Sequence, residues 1–242
     1  MATESREGDG MSAWGRPPTT ANRKYQENAR LLEAMDEKER FTHIFRTNLW
    51  SGGSVSGPGS DDDQTRALRA ELPAMMRRLG VRSLLDLPCG DFNWLAGAEL
   101  DLDWYLGADI VDELVRRNQQ RYARADGGLR FVPLDLLRDP LPRADAVLCR
   151  DCLVHFGFAD IRRALANLRA SGSRYLITTT FTQLSTNVDI PTGDWRPLNL
   201  CREPFGFPEP VDLVLEGCTE EDGAYADKAL AVWAIEELPG TG

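Results

Sequence analysis

No apolar run in this sequence approaches the ~20 residues that a membrane-spanning helix needs, which excludes such a span and leaves no membrane partner to expect. The opening residues, MATESREGDGMSAWG, lack the basic-then-apolar pattern of a secretory signal, so a cytoplasmic location is expected. Basic charge is short: 28 Lys and Arg stand against 38 Asp and Glu, a net charge of −10. Nucleic acid is therefore not expected as a partner, because phosphate binding needs a concentrated basic face. The arginines that do cluster, Arg116–Arg124 and Arg162–Arg169, fall on expected helices and read as solvated faces. Histidine is scarcer still, with only His43 and His155. The five cysteines, Cys89, Cys149, Cys152, Cys201 and Cys218, are odd in number and irregularly spaced, which argues against a disulfide framework. Cys149 and Cys152 form a lone CxxC without a second pair, so they read as small residues at a strand end and no metal is expected. What remains is 42% hydrophobic and 27% charged, ordinary for a soluble globular chain.

A length of 242 residues allows one large domain with an appendage. Residues 1–23 are polar and rich in Gly, Ser, Thr and Pro, and are expected to be a disordered tail. Residues 24–80 form a helical cap. Leu31, Leu32 and Met35, then Phe41, Ile44 and Phe45, mark one or two amphipathic helices. The stretch Trp50–Asp63 (WSGGSVSGPGSDDD) reads either as a flexible Ser/Gly linker or as an ordered loop offering free backbone N–H groups. A helix is expected over Asp63–Leu79, kinked or split at Pro73.

From Val81 to residue 238, strands and helices alternate. Expected strands lie at Val81–Leu87, Trp104–Asp109, Arg130–Asp135, Ala144–Cys149 and Tyr175–Phe181. Expected helices lie at Ile110–Tyr122 and Phe158–Ala170. Leu213–Gly217 and Lys228–Ile235 read as a closing antiparallel pair. The alternation predicts an α/β class with a doubly wound, mostly parallel seven-stranded sheet. The irregular stretch at residues 182–210 is expected to supply a substrate loop.

The most informative stretch is Val81–Trp94, VRSLLDLPCGDFNW. It reads as a buried strand, then a tight turn at Pro88–Gly90, then a helix opening on Trp94 with Asp91 and Asn93 as caps. Such a unit makes a cradle for a nucleotide-like ligand at the carboxyl edge of the sheet. Asp86, Asp109 and Asp135 fall at or just after the ends of the first three strands. An acid after the second strand suits ribose hydroxyls, and one after the third suits an adenine amine, so the three together point to a nucleoside.

These residues resemble the class I S-adenosylmethionine-dependent methyltransferases. The resemblance rests on Asp86 and Gly90 of the glycine-rich motif, with Pro88 and Phe92 replacing its outer glycines. The strings DLPCGDFNW, SGPGS, CRDCLVHF (Cys149–Phe156) and DIPTGDWRPLNL (Asp189–Leu200) resemble a bacterial subgroup of small-molecule methyltransferases. The resemblance spans roughly Phe41 to Leu238. It implies a Rossmann-like fold and S-adenosyl-L-methionine as cofactor. It places Cys89, Gly90 and Asp91 beside the methionine part, Asp109 on the ribose, and Asp135 with Leu136 at the adenine. Trp50, Ser54, Gly57, Ser60 and Thr65 would cover the cofactor, and Asp86, Trp94, Ile110 and Arg150 complete the binding set. A dinucleotide dehydrogenase is the competing reading. Against it, Pro88 removes a backbone N–H and Asp91 adds negative charge, both adverse beside two phosphates and tolerable beside a cationic donor.

Methyl transfer asks a protein to align the reactants, exclude water and manage a proton. Asp151 and His155 are four apart and would share a face if helical, giving a carboxylate and an imidazole as catalytic candidates. Asn187, Asp189, Trp195 and Asn199 are the expected substrate contacts. The acids Asp151, Asp189 and Glu203 favour a nitrogen acceptor, an amine or guanidine compound such as arginine, in specialised metabolism. An oxygen acceptor is the near alternative, and a catalytically inactive partner subunit is the alternative of another class. The N-terminal helices are expected to act as a lid or as a homodimer contact.

Overall fold

Seven short apolar segments pair into one sheet in the computed structural model, which describes residues 11–240. In chain order they are β1 (Ser83–Asp86), β2 (Trp104–Asp109), β3 (Leu129–Pro133), β4 (Ala146–Cys149), β5 (Tyr175–Phe181), β6 (Asp212–Leu215) and β7 (Lys228–Ala234). Their spatial order is β3-β2-β1-β4-β5-β7-β6. The first five run parallel, whereas β7 returns antiparallel to β5 and β6 antiparallel to β7. This is the expected doubly wound sheet. Asp135 lies two residues beyond β3 instead of inside it.

Successive strand residues point to opposite faces, and here both faces are covered, so the strands read as continuous apolar runs. Leu85, Val147, Leu176, Ala231 and Trp233 pack to one face, under α5 (Phe158–Ala170) and the segment at residues 182–210. Leu84, Ala146, Leu148, Ile177, Leu230 and Val232 pack to the other, under α3 (Asp62–Leu79). Pro73 sits inside α3 without dividing it. The missing hydrogen bond and ring clash cost ~3 kcal/mol. Leu68, Leu72, Met75 and Met76 are each at most 2% exposed and contribute roughly 1.5–3 kcal/mol apiece, so burial wins. Helix α4 (Asp112–Tyr122) packs on β2 and β3.

Two helices precede this unit, α1 (Thr20–Leu32) and α2 (Glu37–Thr47). Thr19 caps α1, and Asp36 with Glu39 forms a reciprocal capping box on α2. The disorder expected for residues 1–23 does not hold from residue 11 onward, and residues 1–10 lie outside the described residues. Trp14 packs edge-on against Trp195 at 6.1 Å between centroids and donates its indole N–H to the Tyr225 hydroxyl at 3.0 Å. Arg16 forks onto Asp227 at 2.5 and 2.9 Å. A half-buried aromatic and a bidentate ion pair hold this polar segment down, which a reading by average polarity misses.

The helix expected to open on Trp94 does not form; Asp91–Gly97 is a series of turns. Phe92 adopts a left-handed φ of 59° and drives its ring among Tyr105, Tyr122 and Phe131, at 5.0, 5.0 and 5.2 Å. The Asp91 carboxylate is spent on the Asn93 N–H (3.1 Å) and the Ser54 hydroxyl (2.8 Å), so no free helix cap remains. Aromatic burial here outweighs the roughly 1–3 kcal/mol cost of the backbone conformation. Phe92→Ala is expected to lower stability by about 3 kcal/mol in urea unfolding, and a loss below about 1 kcal/mol would show that the ring does not anchor this turn.

Candidate active site

The carboxyl edge of β1, β2, β3 and β4 opens into a cavity roofed by α2 and by the loop after it. The turn after β1 forms one side. Gly90 has a φ of 53°, and a Cβ there would lie 2.3 Å from the Ser56 hydroxyl oxygen. Only glycine satisfies both the left-handed backbone and that contact. Ser56 in turn accepts the Asp91 N–H at 3.0 Å, and Asn118 donates to the Gly90 carbonyl at 2.7 Å. The Ser/Gly stretch is thus an ordered loop tied to the turn. Asp61 receives the Ser54 N–H at 2.8 Å, and Pro58–Ser60 makes a short 3-10 turn.

Two acids form the floor. Asp109 is 4% exposed, accepts the Val111 N–H (2.9 Å) and the Gly90 N–H (3.1 Å), and lines the cavity. Burial pushes its pKa up to about 6. Asp86 accepts the Tyr105 hydroxyl at 2.5 Å, and burial raises it to about 7, opposed by that hydrogen bond and aided by nearby Asp109. Asp135 lines the cavity too, while its carboxylate takes the Leu137 N–H (2.8 Å) and Arg138 (2.9 Å). Arg138 also pairs with Glu37 at 2.6 Å, which joins α2 to the loop after β3.

Of the expected cofactor residues, Trp50, Ser60, Asp86, Cys89, Gly90, Trp94, Asp109, Ile110, Asp135, Leu136 and Arg150 line this cavity. Ser54, Gly57, Thr65 and Asp91 do not. Ser54 is bound to Asp91, Thr65 is fully buried with its hydroxyl on the Asp61 carbonyl (3.0 Å), and Gly57 lines a second cavity next door. They shape the covering loop without facing the space beneath it. Arg150 is committed as well: it donates to the Gly59 carbonyl (2.7 Å) and Glu216 (2.6 Å) and stacks over Trp94 at 5.2 Å.

The second cavity lies between the covering loop, the start of α1, Trp195 and the turn at Glu220–Gly223. Trp50, Ser56, Asp151 and His155 line both cavities. Asp151 and His155 therefore meet the same space, but not as the helical pair expected. Asp151 has a φ of 50°, and a 3-10 turn follows at Leu153–His155. The Asp151 carboxylate takes Lys228 at 2.8 Å and Arg150 at 3.2 Å, and these two cations hold it down to about pH 2 against its burial. His155 stacks on Trp50 with centroids 4.6 Å apart, and its Nδ1 lies 2.8 Å from the Asp194 carbonyl oxygen. A carbonyl can only accept, so Nδ1 carries the hydrogen and Nε2 keeps its lone pair. Burial lowers the His155 pKa to about 4.

The irregular segment after β5 contributes Trp195 to the second cavity, where its ring meets Tyr225 at 5.2 Å. Asn187, Asp189 and Asn199 line neither cavity. Asn187 donates to the Asn199 and Glu203 carbonyls (2.9 and 2.8 Å), and Asn199 donates to Leu184 (2.9 Å). Asp189 accepts the Phe158 N–H at 2.7 Å, at the start of α5. Arg196, fully buried, donates to the Leu153 and Phe156 carbonyls at 2.9 and 2.7 Å. A buried segment without regular structure must satisfy its backbone with side chains, and these residues do so. Glu203 is exposed and lines neither cavity; the acids lining the second cavity are Asp151, Glu220 and Glu221. Sequence reasoning missed Ser56, Lys228, Glu216 and Glu220; a lysine opening the apolar run KALAVWAI was the one available signal.

No family model matches the sequence, and no curated protein does. Solved structures do resemble the fold. A Burkholderia thailandensis 1,6-didemethyltoxoflavin N1-methyltransferase, with bound 1,6-didemethyltoxoflavin and S-adenosylhomocysteine, matches 86% of this chain and 89% of its own at TM-score 0.58 and 17% identity. The methyltransferase domain of a bacterial Hen1 matches 72% of this chain and 100% of its own at TM-score 0.51 and 14% identity. The chain has the class I S-adenosylmethionine-dependent methyltransferase fold.

The tautomer and the burial of His155 make a direct prediction. Its imidazole should titrate near pH 4 by nitrogen-detected NMR, with Nδ1 protonated at neutral pH. A midpoint near the ordinary 6.5 would contradict the geometry described.

Proposed function

We propose that this chain is an enzyme that methylates a nitrogen of a small molecule with S-adenosylmethionine as donor. The observation that carries the reading is the wall common to the two cavities, Trp50, Ser56, Asp151 and His155. A transferase needs two ligands held end to end with little between them, and two cavities meeting at four side chains provide such a place.

The residues of the first cavity fit the donor. The Gly90–Ser56 contact fixes the turn after β1, which puts Cys89 and Gly90 in the cavity wall where the methionine part would lie. Asp109 offers acceptor oxygens for ribose hydroxyls, and Asp135 with Leu136 lies where an adenine would be read. When bound, S-adenosylmethionine supplies a methyl group whose bond electrons return to sulfur as the acceptor's lone pair forms the new carbon–nitrogen bond. The Asp151 carboxylate, ionised throughout the ordinary pH range, tolerates positive charge at the shared wall.

His155 distinguishes nitrogen from oxygen. A hydroxyl acceptor must lose its proton as it attacks, and an imidazole held down to about pH 4 is a weak base for that task. A neutral amine already has its lone pair. His155 Nε2 accepts one of its N–H hydrogens and turns that lone pair outward, and the surplus proton of the product passes to solvent. Arg150 and Lys228 are both paired with Asp151 and Glu216, which leaves no free cation among the described residues there for a carboxylate acceptor.

Calorimetry with S-adenosylmethionine and S-adenosylhomocysteine tests the donor site; absence of binding by both would refute the enzyme reading. A screen of amines, alcohols and carboxylates should give methylated amines, and methylated hydroxyls or carboxylates alone would overturn the nitrogen assignment. Donor affinity should fall as pH drops through about 6, where Asp109 takes up a proton and loses an acceptor oxygen. Asp109→Asn should weaken binding by about tenfold and flatten that dependence.

A further inference from the structure

Around the second cavity, the described residues place one carboxylate more than the neighbouring cations pair with. Lys228 and Arg150 bind Asp151 at 2.8 and 3.2 Å, and they bind Glu216 at 3.5 and 2.6 Å. Arg23 binds Glu221 at 3.0 Å. Glu220 lines the cavity, and among the described residues no ion pair or side-chain hydrogen bond holds its carboxylate.

Its position is a constructed one. The turn that carries it places Glu221 and Asp222 at φ 48° and 55°, left-handed values that cost a non-glycine residue on the order of 1 kcal/mol each. A Cβ on Gly59 would lie 3.1 Å from Asp151 Oδ2, 3.1 Å from Lys228 Nζ and 3.8 Å from Glu220 Oε1, so Glu220 stands directly over the ion cluster. A second, separate feature also points to a ligand. His155 is 7% exposed, its ring lines both cavities, and among the described residues no group bonds its Nε2.

We infer that Glu220 holds a protonated nitrogen of the acceptor, away from the atom that receives the methyl group. A nitrogen paired with a carboxylate keeps its proton and has no lone pair to attack with. The nucleophile must therefore be another atom. Glu220 lines the second cavity only, whereas His155 stands at the wall shared with the first. The acceptor class is a small compound with two basic centres, such as a diamine or a guanidino amine, charged at Glu220 and neutral at His155. This inference rests on the methyl-transfer reading above.

The test uses the full chain saturated with S-adenosylhomocysteine, titrated with 1,4-diaminobutane and with 1-aminobutane. Glu220→Gln should weaken diamine binding by about tenfold, the size expected for losing a charged, partly desolvated hydrogen bond. Unchanged S-adenosylhomocysteine affinity would show that the variant is folded. With S-adenosylmethionine present, the diamine should be methylated at least about tenfold faster than the monoamine, because a monoamine seated on Glu220 leaves nothing at His155; the advantage should vanish in Glu220→Gln. Diamine affinity within twofold of the unsubstituted protein in Glu220→Gln, or no measurable diamine binding at all, would overturn the cation site while leaving the donor site intact. Diamine binding that depends on Glu220 in a chain that binds neither donor nor product would instead overturn methyl transfer and keep the cation site.

Discussion

Three buried charges, Arg150, Glu216 and Lys228, meet the half-buried carboxylate of Asp151 at the sheet edge where β4, β6 and β7 open. Removing water from a single unpaired charge costs several kilocalories per mole, so none of the four tolerates the loss of its partners. The pairing imposes a geometry. The end of β4 and the start of β7 must open on one edge of the sheet on either side of β5, the residue after β6 must pair with Lys228, and the covering loop must bring the Gly59 carbonyl onto Arg150 at 2.7 Å. Both cavities are arranged about this cluster. Its cations neutralise Asp151 at the shared wall, and a Cβ at position 59 would press to 3.1 Å on both Asp151 and Lys228.

Around this cluster, side chains fix the backbone that carries His155. Arg196 clamps the carbonyls of Leu153 and Phe156, which orients the turn carrying His155. The Asp194 carbonyl then selects the tautomer. Asn22 and Gln26 of α1 take the Asp194 carboxylate at 2.9 and 2.7 Å, so the first helix, the irregular segment and the imidazole form one connected chain of contacts. Residues that touch no ligand thereby determine which nitrogen of His155 is available.

Much of the sheet was legible in the sequence because a sheet covered on both sides demands continuous apolar runs, and Val81–Leu87 or Tyr175–Phe181 can hardly be read otherwise. Asp86 and Asp109 were legible for a related reason: an acid closing such a run sits at the one open edge. Phe92 was not, since its ring is captured by three aromatics that arrive from β2, α4 and β3. Asn187 and Asn199 bond backbone and line neither cavity, which the sequence does not show, because a loop asparagine that bonds backbone looks the same there as one that bonds substrate. Glu220 was invisible as a site residue. Its isolation appears only once β7 has crossed beside β5 and every neighbouring carboxylate has found its cation.

The contact between Gly90 and Ser56 has an evolutionary consequence. The serine hydroxyl occupies the volume that any side chain at position 90 would claim, and position 90 already carries the smallest residue there is. A change in the covering loop that enlarged residue 56 could not be compensated from the strand side, so the size of residue 56 is bounded by a position that has nothing left to give up.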